Sequence, residues 1–216
     1  MKFNRISLLR FIGIMVLFFV SAGCATNYTI KGLDIPQMQT GSLLKGVSPK
    51  IFAFKGFKDV RWGDSYLVFK KIDYSFFSGL IVSTMALDQP AAAIISMAIK
   101  RELERNGHKC IRNSDETKSD FIIEGTVYKF GLIRDNSFLI EKVTGNVAVK
   151  LTIVNFSDDK RVLTKNYEGE YHLSGGRIGN EGTEPWQEYE KILHQSLWNM
   201  LKELSNDPEL IDFIGK

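Results

Sequence analysis

Val143-Thr144-Gly145-Asn146-Val147-Ala148-Val149-Lys150-Leu151-Thr152-Ile153 alternates with a period of two. Val143, Gly145, Val147, Val149, Leu151 and Ile153 form one row, and Thr144, Asn146, Lys150 and Thr152 form the other. In a strand that period sets the first row against a core and the second in water. The flanking segments repeat it. Residues 120–134 alternate with Phe121, Ile123, Gly125 and Val127 on one face and Ile122, Thr126, Tyr128 and Phe130 on the other. After the turn Ser157-Asp158-Asp159-Lys160, residues 162–173 place Leu163, Tyr167 and Tyr171 inward and Thr164, Asn166, Glu168 and Glu170 outward. One apolar face and one polar face predict an antiparallel sheet covered on a single side.

Two helices supply the cover. Asp88 and Pro90 suit a helix start, Ala91, Ala92, Ile95, Ile99 and Leu103 follow helical spacing, and Asn106-Gly107 stops the run. The second helix begins at Thr183-Glu184-Pro185, with a stripe of Trp186, Tyr189, Leu193, Leu197, Met200, Leu201 and Leu204. Asp207-Pro208 starts a short terminal helix through Ile214. Lys50–Trp62 and the short segment around Cys110 read as further strands. The expectation is an α+β fold: a two-layer sandwich, with an antiparallel sheet of four or five strands covered on one face by two long helices. Ile95, Ile99, Val147, Val149, Leu151, Leu193 and Leu197 form the expected core.

The start of the chain is a different kind of signal. Lys2, Arg5 and Arg10 precede the uncharged run Phe11–Ala22, which is too short to cross about 30 Å of hydrocarbon and suits the apolar part of an export signal. It ends in Val20-Ser21-Ala22-Gly23-Cys24, which resembles a bacterial lipobox, although Ser21 stands where Leu, Val or Ile is usual. The reading is a signal peptide over 1–23, acylation of Cys24, a tether over 24–49 and a single domain over 50–216. Such a tether spans roughly 25–30 Å. Ala25, rather than Asp, follows the cysteine, and the sorting rule of enterobacterial lipoproteins then implies the outer membrane, with the domain facing the periplasm.

Composition narrows the function. The chain has 216 residues and is 44% hydrophobic, which excludes a disordered chain. Its formal charge of +3 resides wholly in residues 1–23; beyond them 25 basic groups balance 25 acidic ones, so nucleic acid is not an expected partner. With Cys24 acylated, Cys110 stands alone and reads as a buried, inert thiol. His108, His172 and His194 lie on separate elements without metal-ligand spacing and read as surface or rim residues; no metal and no cofactor are expected. The glycine-rich loop 174–182 lacks a P-loop ending, and Glu168 with Glu170 reads as a solvated strand face. No catalytic residue emerges. Residues 76–87 carry no charge and are buried either by the domain or by something else. Phe76, Phe77, Leu80, Ile81 and Met85 are the candidates for a partner or lipid contact.

The helix ending at Gly107 before Cys110, Ser119-Asp120-Phe121-Ile122-Ile123, residues 143–156, Asn166-Tyr167-Glu168-Gly169-Glu170-Tyr171 and the long final helix together resemble the YajG-like family of bacterial lipoproteins, over about residues 90–204. The resemblance implies an envelope lipoprotein without known catalytic residues, and it carries over one residue, the acylated Cys24. The expected role is non-enzymatic: binding or scaffolding another envelope component, through the membrane and a protein partner. The alternatives are a carrier of a lipid or glycan, marked by an apolar cavity between helices and sheet, and an envelope enzyme, marked by a pocket of titratable groups.

Overall fold

The alternating row at 143–153 becomes the long strand at the middle of the protein's main sheet. A computed structural model describes residues 25–31, 42–61, 63–75, 79–112, 118–136, 141–156, 161–175 and 185–216. The elements are β1 (Ala25–Ile30), a 3-10 turn (Leu43–Gly46), β2 (Ile51–Asp59), β3 (Leu67–Ser75), β4 (Gly79–Leu87), α1 (Ala91–Arg105), β5 (Lys109–Arg112), β6 (Phe121–Asn136), β7 (Glu141–Asn155), β8 (Val162–Gly175), α2 (Trp186–Ser205) and α3 (Pro208–Gly215).

The strands form two sheets, one of five in the order β5-β2-β6-β7-β8 and one of three in the order β1-β4-β3. The α+β class holds, but the simple two-layer plan does not. Only β6-β7-β8 is the expected antiparallel meander. β2 pairs in parallel with both β5 and β6, because alternation fixes which way side chains face but not which strand lies alongside. A second sheet and a third helix complete the fold.

The expected core is in place. Ile95, Ile99, Val147, Val149, Leu151, Leu193 and Leu197 are each no more than 1% exposed. α2 lies on β7 and β8 at positions without side chains. A Cβ on Gly145 would meet Ser196 Oγ at 2.5 Å, and one on Gly169 would meet the Ser196 carbonyl oxygen at 2.0 Å. With the helix this close, a ring on the edge strand stays at the rim: Tyr171, opposite Gly145 and expected inward, is 37% exposed. In β6 a bulge between Val127 and Lys129 adds one residue and reverses the alternation. Tyr128 therefore points to solvent, while Phe130, expected opposite Val127, joins the core at 2% exposure.

Residues 24–49 are not simply a tether. Ala25–Ile30 pair along their length with β4, and Ile30 and Leu44 are buried. α1 starts after Pro90 rather than on an Asp88 cap; the Asp88 N–H instead donates to the Ile30 carbonyl at 3.1 Å. Its end is a Schellman turn: Gly107 has φ 92°, His108 N–H donates to the Leu103 carbonyl, and Gly107 N–H donates to that of Glu104. Thr183 and Glu184 lie outside the described residues, and α2 begins after Pro185.

Arg61 joins the two sheets. Past Val127, β6 no longer pairs with β2, and Val68 of β3 comes close beside it: a Cβ on Gly131 would stand 2.8 Å from the Val68 carbonyl oxygen. Arg61 Nη1 donates to the Phe130 carbonyl at 2.6 Å and to that of Leu67 at 3.2 Å, while its Nη2 and Nε grip Asp59. These bonds satisfy backbone acceptors that would otherwise be stranded where one sheet ends and the other begins.

Candidate functional site

The contact residues expected within 76–87 separate in the structure. Phe76 and Phe77, like Cys24, lie outside the described residues. Leu80 and Ile81 belong to β4, opposite Tyr74 and Asp73 of β3. Met85 is no contact residue: it is fully buried, opposite Phe69, which packs in turn on Tyr189 of α2. The uncharged run therefore divides along β4, with Ser83, Met85 and Leu87 buried at its C-terminal end.

β1 is bound to the domain by side chains as well as by its ladder. Tyr28 stacks on Trp186 with 5.6 Å between ring centres, and its hydroxyl donates to Glu190 at 3.0 Å. That hydrogen bond, burial and the nearby carboxylate all raise the phenol's pKa. Thr26 Oγ1 and Ser83 Oγ lie 2.8 Å apart, and Thr84 donates to Asn27 Oδ1. The residue that follows Cys24 is thus already part of a folded sheet.

An open cleft of about 620 Å³ lies between β8 and the α2–α3 junction, lined by Lys165, Tyr167, Asn199, Lys202 and Asp207 among others. Asp207 organises it. Its carboxylate accepts from Tyr167 Oη at 2.7 Å, from Lys165 Nζ at 2.7 Å and from the Glu209 N–H at 3.1 Å. Burial alone would raise its pKa, but the hydrogen bonds from Lys165, Tyr167 and Glu209 outweigh burial and hold it below the ordinary value. Burial, followed by the bond to Asp207, pushes Tyr167 up, and bonds to Asp207 and Glu209 raise Lys165. Every shift favours the state already present: carboxylate, phenol and ammonium. The cluster caps α3 and clamps it to β8, and none of its members is poised to give or take a proton near neutrality. Asp207-Pro208 is legible in the sequence as a helix start; its contact with Tyr167, 40 residues away, is not.

A second buried carboxylate was also missed. Glu102 is 1% exposed; its Oε1 accepts from Asn106 Nδ2 at 2.7 Å and from Ser205 Oγ at 3.0 Å, tying the C-terminal end of α1 to that of α2.

His108 corrects an expectation. It is 5% exposed rather than on a rim, its Nδ1 accepts from the Lys50 N–H at 3.3 Å, and Phe52 packs against its ring. Desolvation lowers its pKa, so it is neutral. His172 is exposed and His194 is half-buried beside Glu190. Burial pushes the Cys110 thiol up to about 12, and the thiol donates to the Lys100 carbonyl at 3.7 Å. Glu168 and Glu170 are exposed, with Lys129 3.6 Å from Glu168. The loop 176–184 lies outside the described residues. Among the described residues, no three His, Cys, Asp or Glu side chains converge as metal ligands, and no helix is long and apolar enough to cross a membrane.

No protein-family model and no curated protein matches the chain. Among solved structures, it is similar to the protein XCC0632 of Xanthomonas campestris, described under the family model DUF330. The TM-score is 0.54 at 15% identity, covering 87% of this chain and 97% of that one. A minor lipoprotein of Acinetobacter baumannii aligns with a TM-score of 0.34 at 13% identity, over 74% of this chain and 92% of that one. The likeness to the Xanthomonas protein is one of fold: this chain carries, nearly throughout, the architecture of that DUF330 structure.

Proposed function

We propose that the protein is a lipoprotein of the bacterial outer membrane, anchored through acyl chains on Cys24, which holds its domain in the periplasm as a non-catalytic binder or scaffold for another envelope component. One observation carries the reading: the lipobox-like Val20-Ser21-Ala22-Gly23-Cys24 is followed, with no intervening residue, by a strand of the folded domain. Several acyl chains, at about 0.8 kcal/mol per buried CH₂, hold such a protein firmly. The polar clusters support a scaffold rather than an enzyme, because Asp207, Tyr167 and Glu102 are occupied in joining helices to one another or to the sheet. The carrier alternative is less favoured. Among the described residues, the gap between helices and sheet lined by Phe52, Ile99, Leu151 and Leu204 is about 10 Å³, room for at most a single water.

Membrane fractionation of Cys24→Ala tests the anchor. The variant is expected to leave the outer-membrane fraction for the soluble one. If it still sediments with outer membranes at the wild-type level, the lipoprotein reading is wrong. Crosslinking in intact envelopes then identifies the partner.

A further inference from the structure

We infer that the outer edge of β8 at residues 162–166 is a docking site for an extended polypeptide: a segment of a partner protein pairs with it as a sixth strand of the main sheet. The inference rests on the binder reading, which it deepens by naming the partner's chemistry, and it does not depend on the anchor at Cys24.

Backbone hydrogen bonding carries it. β8 is an edge of the five-stranded sheet and pairs only with β7, in unbroken register from Val162 to Gly175. Successive residues of a strand turn their N–H and C=O groups to opposite sides. Two bonds show which residues face outward. The Glu168 N–H donates to Glu203 Oε2 at 2.7 Å, and Asn199 Nδ2 donates to the Glu170 carbonyl at 2.7 Å. The even-numbered residues therefore turn their backbone to the outer edge. At 168 and 170 these side chains of α2 stand where the carbonyl and N–H of a neighbouring strand would stand. Among the described residues nothing does the same at 162, 164 and 166. Thr164 and Asn166, both exposed, each leave an N–H and a C=O unpaired along the sheet edge, which is a template for another strand.

The open stretch has a wall. The cleft of about 620 Å³ lies between Lys165 and Tyr167 of β8 and Lys202, Glu203, Asn206 and Pro208 at the α2–α3 junction. A strand added at about 4.7–4.9 Å from β8 turns every second side chain to the helix side, into this cleft. An edge strand beside a helix-walled groove suits peptide uptake through the main chain. The cleft's own groups select that occupant. Lys165 and Lys202 balance Glu203 and Asp207, so no net charge is offered to a phosphate or a lipid headgroup. Asp207 is committed to Tyr167 and Lys165, and Asn206 to the Leu43 N–H and the Lys202 carbonyl. What is left to pair is backbone, and another extended backbone supplies donors and acceptors at the matching spacing. A second copy of the chain fits poorly. Edge-to-edge pairing would stop where Glu203 and Asn199 begin, and residues 162–166 fall far short of the about 20–30 residues a side of a stable interface.

The test uses the full-length chain in intact cells, with the photocrosslinking residue p-benzoylphenylalanine in place of Lys202 and formaldehyde crosslinking of the wild type alongside. The partner segment crosslinked through position 202 is sequenced and synthesised as a peptide. That peptide is expected to bind the purified full-length chain, to slow hydrogen exchange at the Thr164 and Asn166 amides, and to lose about tenfold or more in affinity for Asn166→Pro. Proline at 166 deletes one outward N–H and leaves the bonds to β7 in place, as edge strands allow. Thr164→Pro replaces it where Asn166→Pro does not fold. Unchanged affinity for the folded proline variant, or binding that leaves both amides unprotected, overturns the edge. A partner captured by formaldehyde but not through position 202 also overturns it and leaves the binder reading standing. A second copy of the chain captured through 202, and lost in Asn166→Pro, overturns the partner peptide and makes the edge a contact between copies. No partner by either route overturns the edge and the binder reading together, and the anchor stands on its own fractionation test.

Discussion

Gly169 of β8 and Ser196 of α2 meet backbone to backbone: a Cβ on Gly169 would stand 2.0 Å from the Ser196 carbonyl oxygen and 2.4 Å from the Met200 nitrogen. Neither obstacle is the flexible end of a side chain, so the helix itself would have to move. Gly169→Ala is therefore expected to destabilise the protein at the upper end of the about 1–3 kcal/mol typical of overpacking, or beyond it. At Gly145 the nearest obstacle is Ser196 Oγ, which can rotate, so Gly145→Ala should cost less. Urea unfolding of both variants checks the order. Equal and small losses would show that α2 does not rest on these glycines.

Legibility in the sequence followed the strength of the alternation. β7 lies between two strands under one helix layer, so its six inward residues and the Leu193–Leu197 stripe of α2 declared themselves. β1 and β3 did not. β1 is an edge strand that buries one residue, Ile30, and is held by a ladder and by polar pairs such as Thr26–Ser83, which carry no hydrophobic period. In β3 a bulge between Leu67 and Phe69 and the adjacent Lys70 and Lys71 disrupt the pattern. Residues 76–87 read as one uncharged block because β4 turns Ser83, Met85 and Leu87 into the core and leaves Val82, Thr84 and Ala86 half-buried, and both sets are uncharged. Met85 could be told from Val82 only by knowing which face of β4 meets the core. The contacts that fix the helices, Tyr167–Asp207 and Glu102–Ser205, join residues 40 and 103 positions apart and leave no local trace.

Asp207 gives the protein a measurable acid dependence. Its pKa is lower in the folded chain than the unfolded value of about 3.9. The stability it contributes is present above the unfolded value and is lost as pH falls through the folded one. Asp207→Asn removes that titration. The variant should be less stable than wild type at pH 7, and the gap should narrow as pH drops below about 4. Thermal midpoints across that range decide it, and a gap that stays constant with pH would show that the carboxylate is not held as described.

Cys110 tests the thiol reading. In a Cys24→Ala chain it is the sole cysteine. With its pKa near 12, almost none is thiolate at pH 8, so reaction with a disulfide reagent should be much slower in the folded protein than in denaturant. Equal rates in the two states would mean that Cys110 is open to solvent and ionises freely.

The attachment of β1 decides whether the domain is rigidly connected to its anchor. Three things hold the strand: its ladder to β4, the burial of Ile30, and the stack of Tyr28 on Trp186 with the hydrogen bond to Glu190. The stack is worth about 0.5–1.5 kcal/mol beyond simple burial, a large part of what holds an edge strand that is mostly exposed. In Tyr28→Ala the amides of β1 are expected to exchange hydrogen faster, while those of β7 keep wild-type protection, because β7 opens only with the whole domain. Flotation of the acylated variant should be unchanged, since the acyl chains do not depend on β1. If β7 loses protection together with β1, the strand belongs to the cooperative core, and the anchor is joined to the fold more tightly than a peeling edge strand allows.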